Sequence, residues 1–197
     1  MPPVVDKHLE ERLLKAAQRL WRARGEKGLT LRAVARAAGT TTPTLYKRFR
    51  NKQALLVALA FRFRDEVNAE LFSSSGIEDA YHRFLRYAVA HPHEYELLRL
   101  TWEHWFSPTN PRPGRAWLLA RLADRFGGQP EQYAPVFDAL FLLCHGTATL
   151  LTVAADNEAR EAMQQSCIHV CDKLMENVTV LRAAGERRED DTSRGQR

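Results

Sequence analysis

The apolar residues of this chain recur every three to four positions almost from end to end, and no stretch demands a period of two. That pattern admits helices and leaves no place for a sheet as the organising element. Leu9, Leu13, Ala16, Ala17, Leu20 and Trp21 fall on one helical face, which Gly25 and Gly28 bring to an end. Leu31, Val34, Ala35 and Ala38 form a second, short stripe between Thr30, a good N-cap, and Gly39. A third helix opens within Thr40-Thr41-Thr42-Pro43, where hydroxyls can accept first-turn N–H groups and a proline forfeits no hydrogen bond. Asn51 reads as the N-cap of a long helix to about Phe72, and Ser73-Ser74-Ser75-Gly76 is the clearest linker.

Beyond the linker the period predicts helices over 77–91, 92–106, 115–126, 130–155 and 158–182. Residues 107–114 hold three prolines and a glycine and read as a loop. The expected fold class is all-α, with about nine helices. A three-helix helix-turn-helix domain occupies 1–50, a connecting helix 51–72 and a larger helical domain 77–182, and 183–197 reads as a disordered tail.

Charge divides along the same line. Residues 1–65 hold 15 Lys and Arg against 5 Asp and Glu, whereas the remainder holds 14 against 19. A basic block of normal apolar content suggests a folded module facing a polyanion. The longest uninterrupted apolar run, Ala54 to Phe61, is eight residues. A spanning helix needs about 20, so no membrane partner is expected. The first residues carry no apolar stretch like a signal peptide, and three cysteines cannot all pair. A reducing cytoplasm is the expected location.

Two short helices joined by a tight glycine turn, the second opening on polar residues, are the parts of a helix-turn-helix. The first buries Leu31, Val34 and Ala35 to brace the second, which can then enter a major groove about 12 Å wide. The stretch Leu29 to Gly39, then Thr40 to Phe49, then Asn51 to Leu56, resembles the DNA-binding signature of the TetR family of bacterial repressors. Its core is Ala38-Gly39, four residues, Thr44-Leu45-Tyr46, two residues, Phe49, two residues, Lys52. The sequence departs from the family pattern at Thr40, where the turn commonly has an apolar residue. It departs again at Pro43, where a small residue is frequent, and at Arg48, where an aromatic or histidine is frequent.

Each candidate DNA contact has its own chemistry. Thr41, Thr42, Pro43 and Thr44 form the tip of the recognition helix, where a threonine can bond a base edge or touch a thymine methyl. Tyr46 can donate its hydroxyl to a phosphate, Lys47 can reach a base edge or the backbone, and Arg48 suits a phosphate. Lys52 adds its charge to a positive helix end, and Thr30 and Arg32 flank the groove. Leu45 and Phe49 are expected to pack the recognition helix on the head's core.

For the larger half, the resemblance implies a domain that senses a ligand and dimerises. The long helix over 130–155 is apolar almost all round, so it must be buried on two sides. With the last helix it suggests a four-helix interface between two chains, through Leu143, Leu150, Cys167, Val170, Cys171, Leu174 and Val178. Tyr81, Trp102, Trp105, Phe106, Trp117, Phe137, Phe141 and His145 form a candidate small-molecule site of apolar walls with a polar group. No metal site or cofactor is expected, because Cys167 and Cys171 have no evident further ligand and His169 points off their face. No catalytic set has motif context, so an enzyme is not expected.

The reading is a homodimeric DNA-binding regulator, a repressor released from a double-stranded operator by an apolar or aromatic effector. The alternatives are a ligand-independent DNA binder and a helical small-molecule enzyme with an appended DNA-binding head.

Overall fold

The computed structural model describes residues 8–107, 109–152 and 156–182. The expected tail at 183–197 and the end of the long helix at 153–155 lie outside the described residues. Among the described residues there are ten α-helices, one 3-10 turn and no strand. The all-α expectation holds. The count exceeds nine because the helix expected over 92–106 breaks at Thr101 and the one over 130–155 opens as a separate turn, Pro130–Tyr133. The Thr101 hydroxyl is buried and donates to the carbonyls of Leu97 (2.8 Å) and Leu98 (3.2 Å). It competes with the helical ladder there.

The chain divides into two compact units. The first comprises residues up to 66 together with 91–110, and the second 67–90 with 111–197. In the first lie α1 (Leu9–Gly28), α2 (Leu31–Ala37), α3 (Thr42–Tyr46) and most of α4 (Lys52–Phe72). In the second, after the last residues of α4, comes α5 (Ile77–Ala90). The chain then returns to the first unit with α6 (Pro92–Leu100) and α7 (Trp102–Trp105). So the compact unit that holds α1 to α3 also takes in α6 and α7. Its core holds Leu13, Trp21, Val34, Leu45, Leu59, Phe63, Tyr95 and Leu98.

Specific bonds bring α6 to α1. The Trp21 indole N–H donates to the His93 carbonyl at 2.6 Å, satisfying the one polar group of a fully buried side chain. The buried Glu94 carboxylate is held by the Arg22 guanidinium at 2.7 Å, which also bonds Glu66 at 2.5 Å. A buried carboxylate without such a cation is costly, so Arg22 is a condition of this packing. Gly25 breaks α1 where the sequence suggests, with φ of +57°, and a Cβ there would lie 3.0 Å from the His93 ring.

The second unit is completed by α8 (Pro113–Phe126), α9 (Ala134–Leu151) and α10 (Asn157–Glu176). α9 packs on α5, α8 and α10. The faces meet through Phe84, Leu85, Val136, Leu140, Cys144, Ala148, Cys167, Cys171 and Met175, all buried. Asp156 caps α10 by accepting from the Ala159 N–H at 2.7 Å. The Tyr81 hydroxyl donates to the Asp172 carboxylate, and burial first, then that carboxylate, raises its pKa.

The stretch Pro130–Leu151 is long and apolar enough to cross a membrane by length and composition, a possibility that counting uninterrupted apolar runs overlooks. A core helix passes the same test, and α9 buries one face against its own chain. The other face is open. Leu142 is 69% exposed and Leu150 52%, and Gly146 lies between them with nothing within 4 Å of a Cβ placed on it.

Candidate nucleic-acid interface

The turn between α2 and α3 follows from local chemistry. The Thr30 hydroxyl caps α2 by accepting from the Ala33 N–H at 3.1 Å. At the other end Gly39 adopts φ of +66°, the Gly39 N–H bonds the Arg36 carbonyl (3.2 Å) and the Thr40 N–H bonds the Ala35 carbonyl (2.9 Å). These are the paired bonds of a Schellman cap, which a left-handed glycine makes cheap. They form with Thr40 in place, so the polar residue does not open the turn. Thr41 then caps α3 by accepting from the Thr44 N–H at 3.3 Å, and the two threonine hydroxyls bond each other at 2.9 Å.

α3 buries Leu45, and Phe49 follows it into the core, as expected. The helical period then turns Thr42, Pro43, Tyr46 and Lys47 together away from that core. Pro43, Tyr46 and Lys47 are exposed, and Thr42 and Thr44 half-buried. Tyr46 keeps half of its surface in water, unusual for an aromatic on a short helix with a core beneath it. Thr30, Arg32 and Thr41 are also exposed. The cap occupies an acceptor position on the Thr30 oxygen and leaves its hydroxyl hydrogen able to donate to a phosphate.

Two expected phosphate contacts already have acidic partners. Arg48 bridges to Glu10 at 2.7 Å and Lys52 to Glu26 at 3.3 Å. Both pairs are solvent-exposed enough to be worth about 0–1 kcal/mol, so a phosphate can displace either carboxylate. Each pair also ties the turn and the start of α4 to α1. Asn51 caps α4 through the Ala54 N–H at 2.8 Å, which leaves other first-turn N–H groups facing outward beside Lys52. Sequence reasoning missed Arg36 and Arg50. Both are exposed and form no ion pair among the described residues. Their place in the basic block was the signal that could have found them.

The candidate ligand residues divide between the units. Trp102, Trp105 and Phe106 belong to the first, and Tyr81, Trp117, Phe137, Phe141 and His145 to the second. In the second unit, Phe137, Phe141 and His145 form a ladder on successive turns of α9. The rings of Phe137 and Phe141 are 5.7 Å apart, those of Phe141 and His145 4.1 Å, and His145 lies 4.5 Å from Phe84. Burial pushes the His145 pKa down to about 3, so at neutral pH the ring is an uncharged hydrogen-bonding group in an aromatic wall. The Arg112 guanidinium covers Phe137 and Phe141 at 5.6 and 5.9 Å, and its pKa is lowered by burial and then by Arg115. Arg112 was not foreseen. Trp117 packs against Phe72 with ring centroids 5.9 Å apart and the rings tilted by 44°, and the Tyr81 hydroxyl is engaged by Asp172.

Of the seven residues expected at a dimer seam, Leu150 and Val170 are exposed, and Leu143 and Leu174 half-buried. Cys167, Cys171 and Val178 are buried within the chain itself and pack its core. The face of the last helix that carries these three is covered inside the subunit.

A short helix with polar exposed residues, set by a glycine turn against a bracing helix in a basic unit, defines the helix-turn-helix class. Residues 13–59 match the family model described as bacterial regulatory proteins, tetR family, which shows the resemblance read from the sequence. The fold agrees over most of the chain. A TetR transcriptional regulator from Rhodococcus sp. RHA1 is 18% identical, with 87% of this chain and 98% of that one covered and a TM-score of 0.62. A tetR-family transcriptional regulator from Streptomyces coelicolor is 17% identical, with 91% and 89% covered and a TM-score of 0.63. A TetR variant from Acinetobacter baumannii, in complex with minocycline, is 19% identical, with 87% and 97% covered and a TM-score of 0.63. No curated protein matches the chain. The chain is thus a helical protein of TetR-like fold whose residues 13–59 match the tetR family model.

Proposed function

We propose that the protein is a dimeric, ligand-responsive transcriptional regulator, a repressor that leaves its operator when a small molecule binds the second unit. The observation that carries DNA recognition is the outward face of α3: Pro43, Tyr46 and Lys47 are exposed while Leu45 and Phe49 anchor the helix beneath. Thr42 and Thr44 read base edges, Lys47 reaches a base edge or a phosphate, and Thr30, Arg32, Tyr46, Arg48 and Lys52 hold phosphates.

The open stripe of α9, Leu142, Gly146 and Leu150, with Val170 of α10, supports a homodimer seam. Gly146 lets two such helices approach closely. Two heads on one dimer demand half-sites about 34 Å apart or a multiple of it. The Phe137–Phe141–His145 ladder with Arg112 supports an aromatic effector, and the neighbour of the same fold in complex with minocycline supports a small-molecule site. Effector and DNA are coupled because each favours a different dimer geometry. A DNA operator places the protein in the cytoplasm, where its three thiols stay reduced.

The test is selection from random duplexes with the full-length protein. The expected result is an enriched palindrome with two half-sites about one helical turn or more apart. Enrichment of a single half-site, or of nothing, overturns the dimeric operator reading.

A further inference from the structure

The chain has three cysteines, and all three meet. Cys144 projects from α9, and Cys167 and Cys171 stand one turn apart on α10. Their sulfurs lie within 4.8 Å of one another, each residue is buried, and none is in a disulfide. Spacing alone offered only the Cys167–Cys171 pair. The third ligand comes from another helix, so no sequence interval could reveal it.

The donor set selects its guest. Among the described residues no His, Asp or Glu joins the three thiols as a further ligand, and His169 is exposed. Structural zinc takes four tetrahedral ligands, and hard cations take oxygen. Charge is more discriminating. Three thiolates bring three negative charges into a core in which Leu140, Ala148 and Met175, one helical turn from these cysteines, are buried as well. A monovalent or divalent ion would leave a net charge there, at the cost that buried unpaired charge carries. A trivalent, thiophilic centre with three bonds and a lone pair leaves none.

We propose that Cys144, Cys167 and Cys171 form a binding site for a trivalent thiophilic metalloid, arsenic(III) or antimony(III), held as a neutral tris-thiolate. The reaction balances without a redox step. As(OH)3 exchanges three As–O bonds for three As–S bonds, and each thiol proton leaves with a hydroxyl group as water. The trio is arranged for this exchange: with the three sulfurs within 4.8 Å of one another, the first As–S bond brings the other two thiols into reach of the same centre. Bound metalloid would staple α9 to α10. If those helices form the dimer seam proposed above, occupancy would also change operator affinity. The binding claim itself does not rest on that reading.

The test uses the full-length reduced protein and sodium arsenite, without DNA. Native mass spectrometry should show one arsenic gained and three hydrogens lost per chain, with all three thiols protected from a thiol reagent. Cys144→Ser, Cys167→Ser and Cys171→Ser should each weaken binding on the order of 100-fold, because each removes one tooth of a chelate. X-ray absorption at the arsenic edge reads the wild-type protein directly, whether or not a variant folds. Three sulfur neighbours and no oxygen support the site. Two sulfurs with one oxygen, no uptake, uptake unaffected by Cys144→Ser, or tighter binding of zinc overturns it. An operator-binding assay with and without arsenite is separate: no change there, with three sulfurs bound, refutes only the coupling.

Discussion

His145 offers a quantitative check on the second unit. The ring is packed between Phe84 and Phe141, and burial lowers its pKa from 6.5 to about 3. The unfolded chain therefore takes up a proton near pH 6.5 that the folded chain refuses until about pH 3. Stability from this group is fully present above the unfolded pKa and is lost as pH falls through that window. Between about pH 7.5 and about pH 5 the loss is about 2 kcal/mol, at about 1.4 kcal/mol per pH unit below 6.5. Urea unfolding of wild type and His145→Gln at the two pH values, at one protein concentration, isolates the term. Wild type should lose about 2 kcal/mol more than the variant on acidification. Equal losses, or a His145 imidazole that titrates near its free value in the native protein, would refute the burial argument.

Other consequences follow from packing and backbone. Trp21→Ala should cost about 3–5 kcal/mol by calorimetry, since it empties a fully buried site and strands the His93 carbonyl. Gly39→Ala should cost about 1 kcal/mol although nothing crowds the position, because its φ of +66° disfavours any side chain. A cost near zero in the melting curve would contradict the cap geometry. Leu142→Glu should convert a dimer to monomers in light scattering while leaving the helical signal unchanged, since Leu142 is largely exposed in the subunit. A dimer that survives places the seam elsewhere.

Local chemistry was legible in the sequence, and long-range partnership was not. Thr30 and Asn51 cap their helices as read, and Thr41 is the cap within the Thr40–Pro43 stretch, because a cap needs only a side-chain oxygen and an N–H three residues on. Leu45 and Phe49 anchor the recognition helix for the same kind of reason: their spacing sets their face. Thr101 escaped notice because the apolar period runs straight through it, and only the buried hydroxyl breaks the helix. Cys167, Cys171 and Val178 lie in the stripe read as a seam and are buried in the subunit, because a stripe shows which face is apolar and not which partner covers it. α9 has two apolar faces, and the chain buries one on its own α5 and α10. The fit of Glu94 to Arg22 joins residues 72 apart, beyond any local pattern. So is the meeting of Cys144 with the α10 thiols.

The central claim is that the outward face of α3 rests on duplex DNA. The most direct measurement is the salt dependence of binding to the selected operator, for wild type, Lys47→Ala and Tyr46→Ala. Wild type should show a steep negative slope of log affinity against log salt, about 0.9 per phosphate neutralised. Lys47→Ala should flatten it by about two for a dimer if Lys47 holds phosphate. If Lys47 reads a base edge instead, it should relax sequence preference at one position of each half-site. Tyr46→Ala should weaken binding with little change of slope, because it removes a neutral donor. Wild-type binding that ignores salt, or operator affinity unchanged by both substitutions, would contradict the account.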